Sequence, residues 1–204
     1  MKSIFIDTET TGLRPGKIVQ LTYIIEENKT FKEAKNFFFM IEDGEMEPGA
    51  EKVHGFSVDK LAILSNGRLF EDSISEIKND LINSIFIAHN SKFDKKFIDA
   101  EFGRLNLETE IAKEFCTMKY FKNIVQIPGR NGVDFKNPKL SEVVKHYNLD
   151  PDDILRRTKI LFNADKVSFH DARFDTAAMY MCCLLSQNRP INLGEENSEQ
   201  IDLF

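Results

Sequence analysis

Three apolar runs crowd the first 41 residues: Lys2 to Ile6, Lys17 to Glu26, and Asn36 to Ile41 with Phe37, Phe38 and Phe39. Each has the length and the β-branched or aromatic content of a strand. The turns Gly12-Leu13-Arg14-Pro15-Gly16 and Glu27-Asn28-Lys29 punctuate them. Strands so closely spaced predict an antiparallel meander, and that limits what the rest of the chain can do. A fourth apolar run, Ser84 to Ala88, follows an amphipathic stretch from Ser73 to Ile82. Helical stripes then recur: Phe93, Phe97, Phe102 and Leu105; Leu140, Val143, Val144 and Tyr147; Phe174, Ala178, Met181, Cys182 and Leu185. A meander followed by alternating helices and strands predicts an α/β fold, a mixed sheet with an antiparallel three-stranded meander and flanking helices.

The 204 residues suit one domain with a short appendage. The cysteines, Cys116, Cys182 and Cys183, are odd in number and form no C-x-x-C pair, which argues against both a disulfide framework and a zinc site. No stretch approaches the roughly 20 apolar residues of a membrane helix, and no signal-peptide layout opens the sequence. A reducing cytoplasm is the expected location, with no membrane partner. The net charge is −6, and residues 188–204, with one arginine against four acids, carry half of it. A body this acidic does not grip nucleic acid by bulk charge, so a polyanionic substrate must be held by local features or delivered by a partner. From Gln187 onward the apolar periodicity stops. The expected organisation is a folded domain over 1–187, a flexible connector over 188–199, and a tail over 200–204.

Acids in apolar surroundings carry the chemistry. Asp7 and Glu9 stand two apart at the end of the first strand, which puts them on one side of it. Like charges on one face repel, and burying either without a partner costs several kcal/mol. Either the chain has already turned into solvent at Asp7, or a divalent cation sits between the two; oxygen donors suit Mg²⁺ or Mn²⁺ better than zinc. Asp94 has two readings as well. Ser91-Lys92-Phe93-Asp94 fits an S-x-x-D capping box with Ser91 as N-cap, yet Asp94 also stands just beyond the strand ending at Ala88, where sites in open α/β sheets collect. Asp175 reads as a solvated helix charge or as a fourth acid of a site, and Asp171 one turn earlier as an N-cap. His170 precedes Asp175 by five residues, about 140° around a helix. To cooperate with Asp175 it must lie on the loop before the helix.

The order of these residues is more specific than any one of them. Phe5-Ile6-Asp7-Thr8-Glu9-Thr10-Thr11-Gly12-Leu13, Ala88-His89-Asn90-Ser91-Lys92-Phe93-Asp94 and His170-Asp171-Ala172-Arg173-Phe174-Asp175 resemble, in order and separation, the three motifs of the DEDDh family of 3′–5′ exonucleases, in its proofreading branch. Val53-His54-Gly55-Phe56-Ser57 and Lys139 to Val144 resemble intervening segments of that family, so the likeness covers residues 2 to about 186. One departure is Phe115-Cys116-Thr117, where relatives commonly carry an Asp-Thr pair. The resemblance implies an RNase H-like fold and hydrolysis assisted by two divalent cations, Mg²⁺ or Mn²⁺, held by Asp7, Glu9, Asp94 and Asp175. It makes His170 the general base for the attacking water. It places Thr8, Thr10, Leu13, His54, Asn90 and Phe93 around the 3′ end of single-stranded DNA, Leu13 and Phe93 as wedges against the bases; core packing is the competing reading for those two. Lys92, Lys95, Lys96, Arg156, Arg157 and Lys159 are candidates for tracking the backbone.

Gln200-Ile201-Asp202-Leu203-Phe204 resembles the bacterial sliding-clamp-binding pentapeptide, with Leu203 and Phe204 as apolar anchors and Gln200 as a polar pin. Tethering to a clamp on DNA raises effective concentration without basic surface, which fits the acidic body. A DNA polymerase subunit is a further candidate partner that no residue singles out. The expected function is a metal-dependent DNA exonuclease, clamp-associated, in proofreading or repair. The competing expectations are an RNA exonuclease of the RNase T or oligoribonuclease kind, and a non-catalytic clamp-binding adaptor.

Overall fold

The computed structural model describes residues 1–194. A five-stranded mixed sheet organises them. Strands β1 (Lys2–Thr10), β2 (Ile18–Glu27) and β3 (Thr30–Phe38) form the antiparallel meander, and β4 (Ile85–Ala88) and β5 (Lys113–Cys116) run parallel to β1, giving the order β3-β2-β1-β4-β5. Helices α1 (Pro48–His54), α2 (Val58–Ser65) and α3 (Ile74–Leu81) lie between β3 and β4, with a 3₁₀ turn over Phe70–Ser73 before α3. Helix α4 (Ser91–Arg104) follows β4. After β5 come α5 (Thr117–Val125), α6 (Leu140–His146), α7 (Pro151–Leu161) and α8 (Ala172–Ser186).

Strand alternation divides the core. Ile4 and Ile6 of β1 join Leu21, Phe86, Phe97 and Phe102 on the α3–α4 side, while Phe5 joins Ile24, Val143, Ile154 and the apolar face of α8 on the other. Both faces of β1 are therefore covered, and its C-terminal end is enclosed between α4 and α8.

Several expectations shift. The third strand spans Thr30–Phe38 rather than Asn36 to Ile41: Phe39 and Ile41 are buried at 1% and 3% exposure, but beyond the paired segment. Strand β5 and helices α1, α2, α5 and α7 add elements that periodicity did not mark. The first strand continues through Asp7 and Glu9 to Thr10, so the chain has not turned into solvent there. Residues 189–193 of the segment expected as a connector make contacts with the domain. Arg189 donates to the Glu26 carboxylate at 2.6 Å, Leu193 is buried, and Arg157 donates to its carbonyl at 2.8 Å. The clamp-like tail, Gln200 to Phe204, lies outside the described residues. No helix among the described residues is long and apolar enough to cross a membrane.

Candidate active site

The end of β1 presents its two faces to two helices. Odd positions Asp7 and Glu9 look toward α8, and even positions Thr8 and Thr10 look toward α4. A register shift between Glu9 and Thr10 against β2 ends the regular ladder at this point. Asp175, in the first turn of α8, completes a cluster with Asp7 and Glu9: one oxygen from each lies within 4.8 Å of the others. All three acids are half-buried.

Asp94 joins from the other face. It is 2% exposed, and one carboxylate oxygen accepts both the Thr8 N–H at 3.2 Å and the Thr8 hydroxyl at 2.9 Å. The capping box expected around it does not form. Asn90, in left-handed backbone with φ 82°, is the N-cap residue, and the Ser91 hydroxyl donates instead to Glu114 at 2.6 Å. Asp94 thus bonds Thr8 of the sheet as well as its own N–H in the first turn of α4.

The electrostatics follow from this crowding. Burial, and then the charges of Asp94, Asp175 and Glu9, push the Asp7 carboxyl well above its usual range. Glu9 is raised by burial and then by Asp175. Burial pushes Asp94 up to about 7 against the pull of its Thr8 hydrogen bonds, and pushes Asp175 up to about 6 against the favourable charge of His170. The strongest charges acting on Asp7 and Glu9 are thus other carboxylates. A donor set of closely spaced oxygens with excess negative charge fits hard divalent cations such as Mg²⁺ or Mn²⁺.

His170 is exposed in the turn before α8, with φ 60°, and lines the same cavity as Asp7 and Asp175. The loop placement expected for it is observed. Asp171 caps α8 by accepting the Arg173 N–H at 3.0 Å. The same carboxylate takes Nε and Nη2 of Arg173 at 2.9 and 2.6 Å and the Gln20 amide at 2.8 Å, while the Gln20 carbonyl oxygen accepts the Ala172 N–H at 3.1 Å. Gln20 pairs with Glu9 across β1–β2. This latch fixes α8, and with it Asp175, against Glu9. Sequence reading missed it; the only signal was an amide inside the apolar run Ile18-Val19-Gln20-Leu21.

The other candidates divide. Thr8, Glu9, Thr10, Leu13, His54 and Phe93 line one pocket of about 310 Å³, together with Glu47. Leu13 is 78% exposed, so it is not a core residue. Phe93 is half-buried, its ring 4.9 Å from Phe97. Thr8 spends its hydroxyl on Asp94, and Thr10 donates its own to the Gly12 carbonyl at 2.8 Å. His54 is buried and neutral in tendency, burial lowering its pKa; Nδ1 accepts the Phe56 N–H at 3.0 Å and Nε2 faces the Thr10 carbonyl at 3.3 Å. Asn90 lines neither this pocket nor the His170 cavity. Among the basic candidates, Lys95 pairs with Asp99, Arg156 and Arg157 pair with Asp153, and Lys96 donates to the Leu13 carbonyl.

At the Asp-Thr position, Cys116 sits at the N-cap of α5. Burial raises its thiol, but N–H groups of Lys119, Ser91 and Asn90 outweigh burial and the net direction is down. The neighbouring Thr117 hydroxyl lies 3.0 Å from Nδ1 of His89, whose Nε2 is 3.0 Å from the Pro138 carbonyl.

A mixed sheet with acids gathered at the end of its first strand is the RNase H-like architecture of exonucleases. The chain belongs to the exonuclease family of the RNase T type, which matches residues 4–161. Among curated proteins, it is 30% identical over 122 residues to the DNA polymerase III subunit epsilon of Buchnera aphidicola subsp. Schizaphis graminum, covering 56% of this chain and 51% of that one. It is 32% identical over 114 residues to the epsilon subunit of Rickettsia prowazekii, covering 54% and 48%. The chain spans about half the length of the curated relatives it matches. Among solved structures, exonuclease X in complex with 5′ overhanging duplex DNA has a TM-score of 0.58 at 19% identity, covering 92% of this chain and 93% of that one. E. coli exonuclease I in complex with a dT13 oligonucleotide has a TM-score of 0.67 at 15% identity, covering 92% and 41%. Both share the fold.

Proposed function

We propose that this chain is a 3′–5′ DNA exonuclease that releases nucleoside 5′-monophosphates with the help of two divalent cations, Mg²⁺ or Mn²⁺. The observation that carries this reading is the carboxylate cluster of Asp7, Glu9 and Asp175, with Asp94 held alongside, between a pocket of nucleoside size and a cavity that holds a histidine. Asp7, Glu9 and Asp175, with Asp94 alongside, are the residues that would hold the cations. When bound, the cations supply Lewis acidity to both the attacking and the leaving oxygen of a phosphodiester. Thr8 keeps Asp94 oriented, and the Gln20–Asp171–Arg173 latch keeps Asp175 in register with Glu9. His170, on its loop, takes the proton of the attacking water. The pocket between Leu13, His54 and Phe93 holds the terminal nucleoside by shape and stacking, which tolerates any base. The relatives named as polymerase III epsilon subunits favour a DNA substrate in replication.

The test is release of mononucleotides from 3′-labelled single-stranded DNA and RNA of the same sequence, in Mg²⁺ and in EDTA. DNA is degraded from the labelled end in Mg²⁺ and untouched in EDTA. Faster loss of RNA assigns the chain to the RNase T or oligoribonuclease kind, and no loss of either assigns it to an adaptor role.

We further propose that Gln200, Leu203 and Phe204 dock the chain on a bacterial sliding clamp. Deleting residues 200–204 abolishes clamp binding in a surface-capture assay and leaves cleavage of a short oligonucleotide within twofold. Unchanged clamp affinity refutes the assignment.

A further inference from the structure

A cavity of about 1010 Å³ opens from the acidic centre on the side away from the Leu13–Phe93 pocket. Asp7, Asp175 and His170 form its inner end, and it continues along α6 and the start of α7. Its wall carries Lys139 and Lys145; neither forms a salt bridge among the described residues, in contrast to Lys95, Arg156 and Arg157, and Lys139 acts only at longer range on Glu142, which Lys136 engages directly. The stretch leading into α6 is tied to the end of β4 through the contact between His89 and the Pro138 carbonyl, so this wall is fixed relative to Asp7. Opposite stands Phe169, 54% exposed although it is a large aromatic side chain. Among the described residues its ring has one aromatic contact, edge-on to Phe174 at 5.1 Å and 74°.

We infer that this cavity takes the DNA strand on the 5′ side of the scissile phosphate, Phe169 stacking on the penultimate base while Lys139 and Lys145 meet its backbone phosphates. The inference rests on the exonuclease reading and adds to it residues that no motif contains. A terminal nucleoside in the Leu13–Phe93 pocket, with its phosphate at the carboxylates, leaves the next nucleotide at the inner end of this cavity. Two lysines with no salt bridge among the described residues, in a chain of net charge −6, match a polyanion there. Phe169 is also the residue before His170. A base stacked on it fixes the loop that carries the proton acceptor, so the histidine is held in place when a strand is present.

The chain contains no tryptophan, so Phe169→Trp places a single indole in the cavity. In EDTA, where nothing is cleaved, single-stranded DNA quenches that emission; indifference of the emission to DNA overturns the inference. In Mg²⁺, the native chain cleaves a normal 3′ end on the order of tenfold faster than one whose penultimate nucleotide is abasic, the loss of one stacked base. Phe169→Ala brings that ratio close to one, and Phe169→Trp restores it. A ratio unchanged in Phe169→Ala also overturns the inference, whereas a native chain that leaves all DNA intact refutes the exonuclease reading and leaves the fluorescence test standing. Lys139→Ala and Lys145→Ala each reduce the salt dependence of binding, the log–log slope falling by about 0.7 per lysine; an unchanged slope removes the lysines from the track.

Discussion

Asp7→Asn abolishes cleavage and at the same time stabilises the metal-free protein. Asp7 carries the most opposed charge of the cluster: burial and four other carboxylates, Asp94, Asp175, Glu9 and Asp171, all raise its pKa. Asparagine keeps the shape and removes the charge. Loss of cation binding forfeits several kcal/mol of transition-state stabilisation, and at about 1.4 kcal/mol per factor of ten this is a loss of roughly a thousandfold or more in kcat. The stability effect has the opposite sign. A carboxyl whose folded pKa is raised contributes fully below its unfolded value near 4, and its contribution fades as pH rises through the folded value. With Asp175 at about 6 and Asp94 at about 7, the metal-free native chain loses stability from about pH 4 to 7 and stays low above it. At pH 8 Asp7→Asn therefore melts higher than the native chain in EDTA, each kcal/mol relieved being about 2–4 °C for a protein of this size. Mg²⁺ at a hundred times its Kd adds about 2.7 kcal/mol to the native chain and little to the variant. Calorimetry with and without Mg²⁺ checks both halves. A variant that melts lower than the native chain in EDTA, or still responds to Mg²⁺, refutes the idea that Asp7 is an electrostatic liability held for cation binding.

That liability explains how the site could be seen before the fold was known. Acid at alternate positions of an apolar strand is costly unless something compensates it, so Asp7 and Glu9 stand out, and β1 does carry them to its end within the ladder. The meander was legible for a related reason: β1 and β2 are long, apolar and closely spaced. The third strand was displaced because apolar runs report burial and not pairing. Its first half, Thr30 to Glu33, is exposed and carries one apolar side chain, Phe31, among polar ones, while Phe39 and Ile41 are buried at and beyond the last hydrogen bond of the ladder, from the Phe39 N–H to the Val19 carbonyl. Strand β5, Lys113–Cys116, is four residues long with two charges, too short and too polar to register alone. The capping reading of Asp94 failed on one backbone angle, since Asn90 adopts φ 82° and becomes the N-cap itself. The latch on α8 was invisible for another reason. Gln20 and Asp171 are 151 positions apart, and an amide in a strand announces nothing until its partner is in place. Ion pairing of the basic residues was not legible either: Lys95 pairs with Asp99, and Arg156 and Arg157 with Asp153, which a run of charges beside a motif does not reveal.

His170→Asn separates proton transfer from cation binding. The choice of asparagine is set by the backbone: His170 sits at φ 60°, left-handed conformation that costs an ordinary residue roughly 1–2 kcal/mol and that asparagine adopts readily. Alanine there adds strain to the loss of the imidazole, and the two effects become inseparable. Asparagine preserves the turn, the Asp171 cap and the position of Asp175, and removes only the proton acceptor. General-base assistance is typically worth about 10²–10⁴-fold, so kcat falls by that amount. The Mg²⁺-induced rise in melting temperature stays within a degree or two of the native chain's, because the oxygen donors, Asp7, Glu9, Asp94 and Asp175, are all present. This is the reverse of the Asp7→Asn pattern, in which catalysis and the cation response disappear together. Steady-state kinetics and thermal melts on the same preparations distinguish the two. Activity within threefold of the native chain removes His170 from proton transfer, and a lost Mg²⁺ response shows that the histidine supports the cluster's geometry instead.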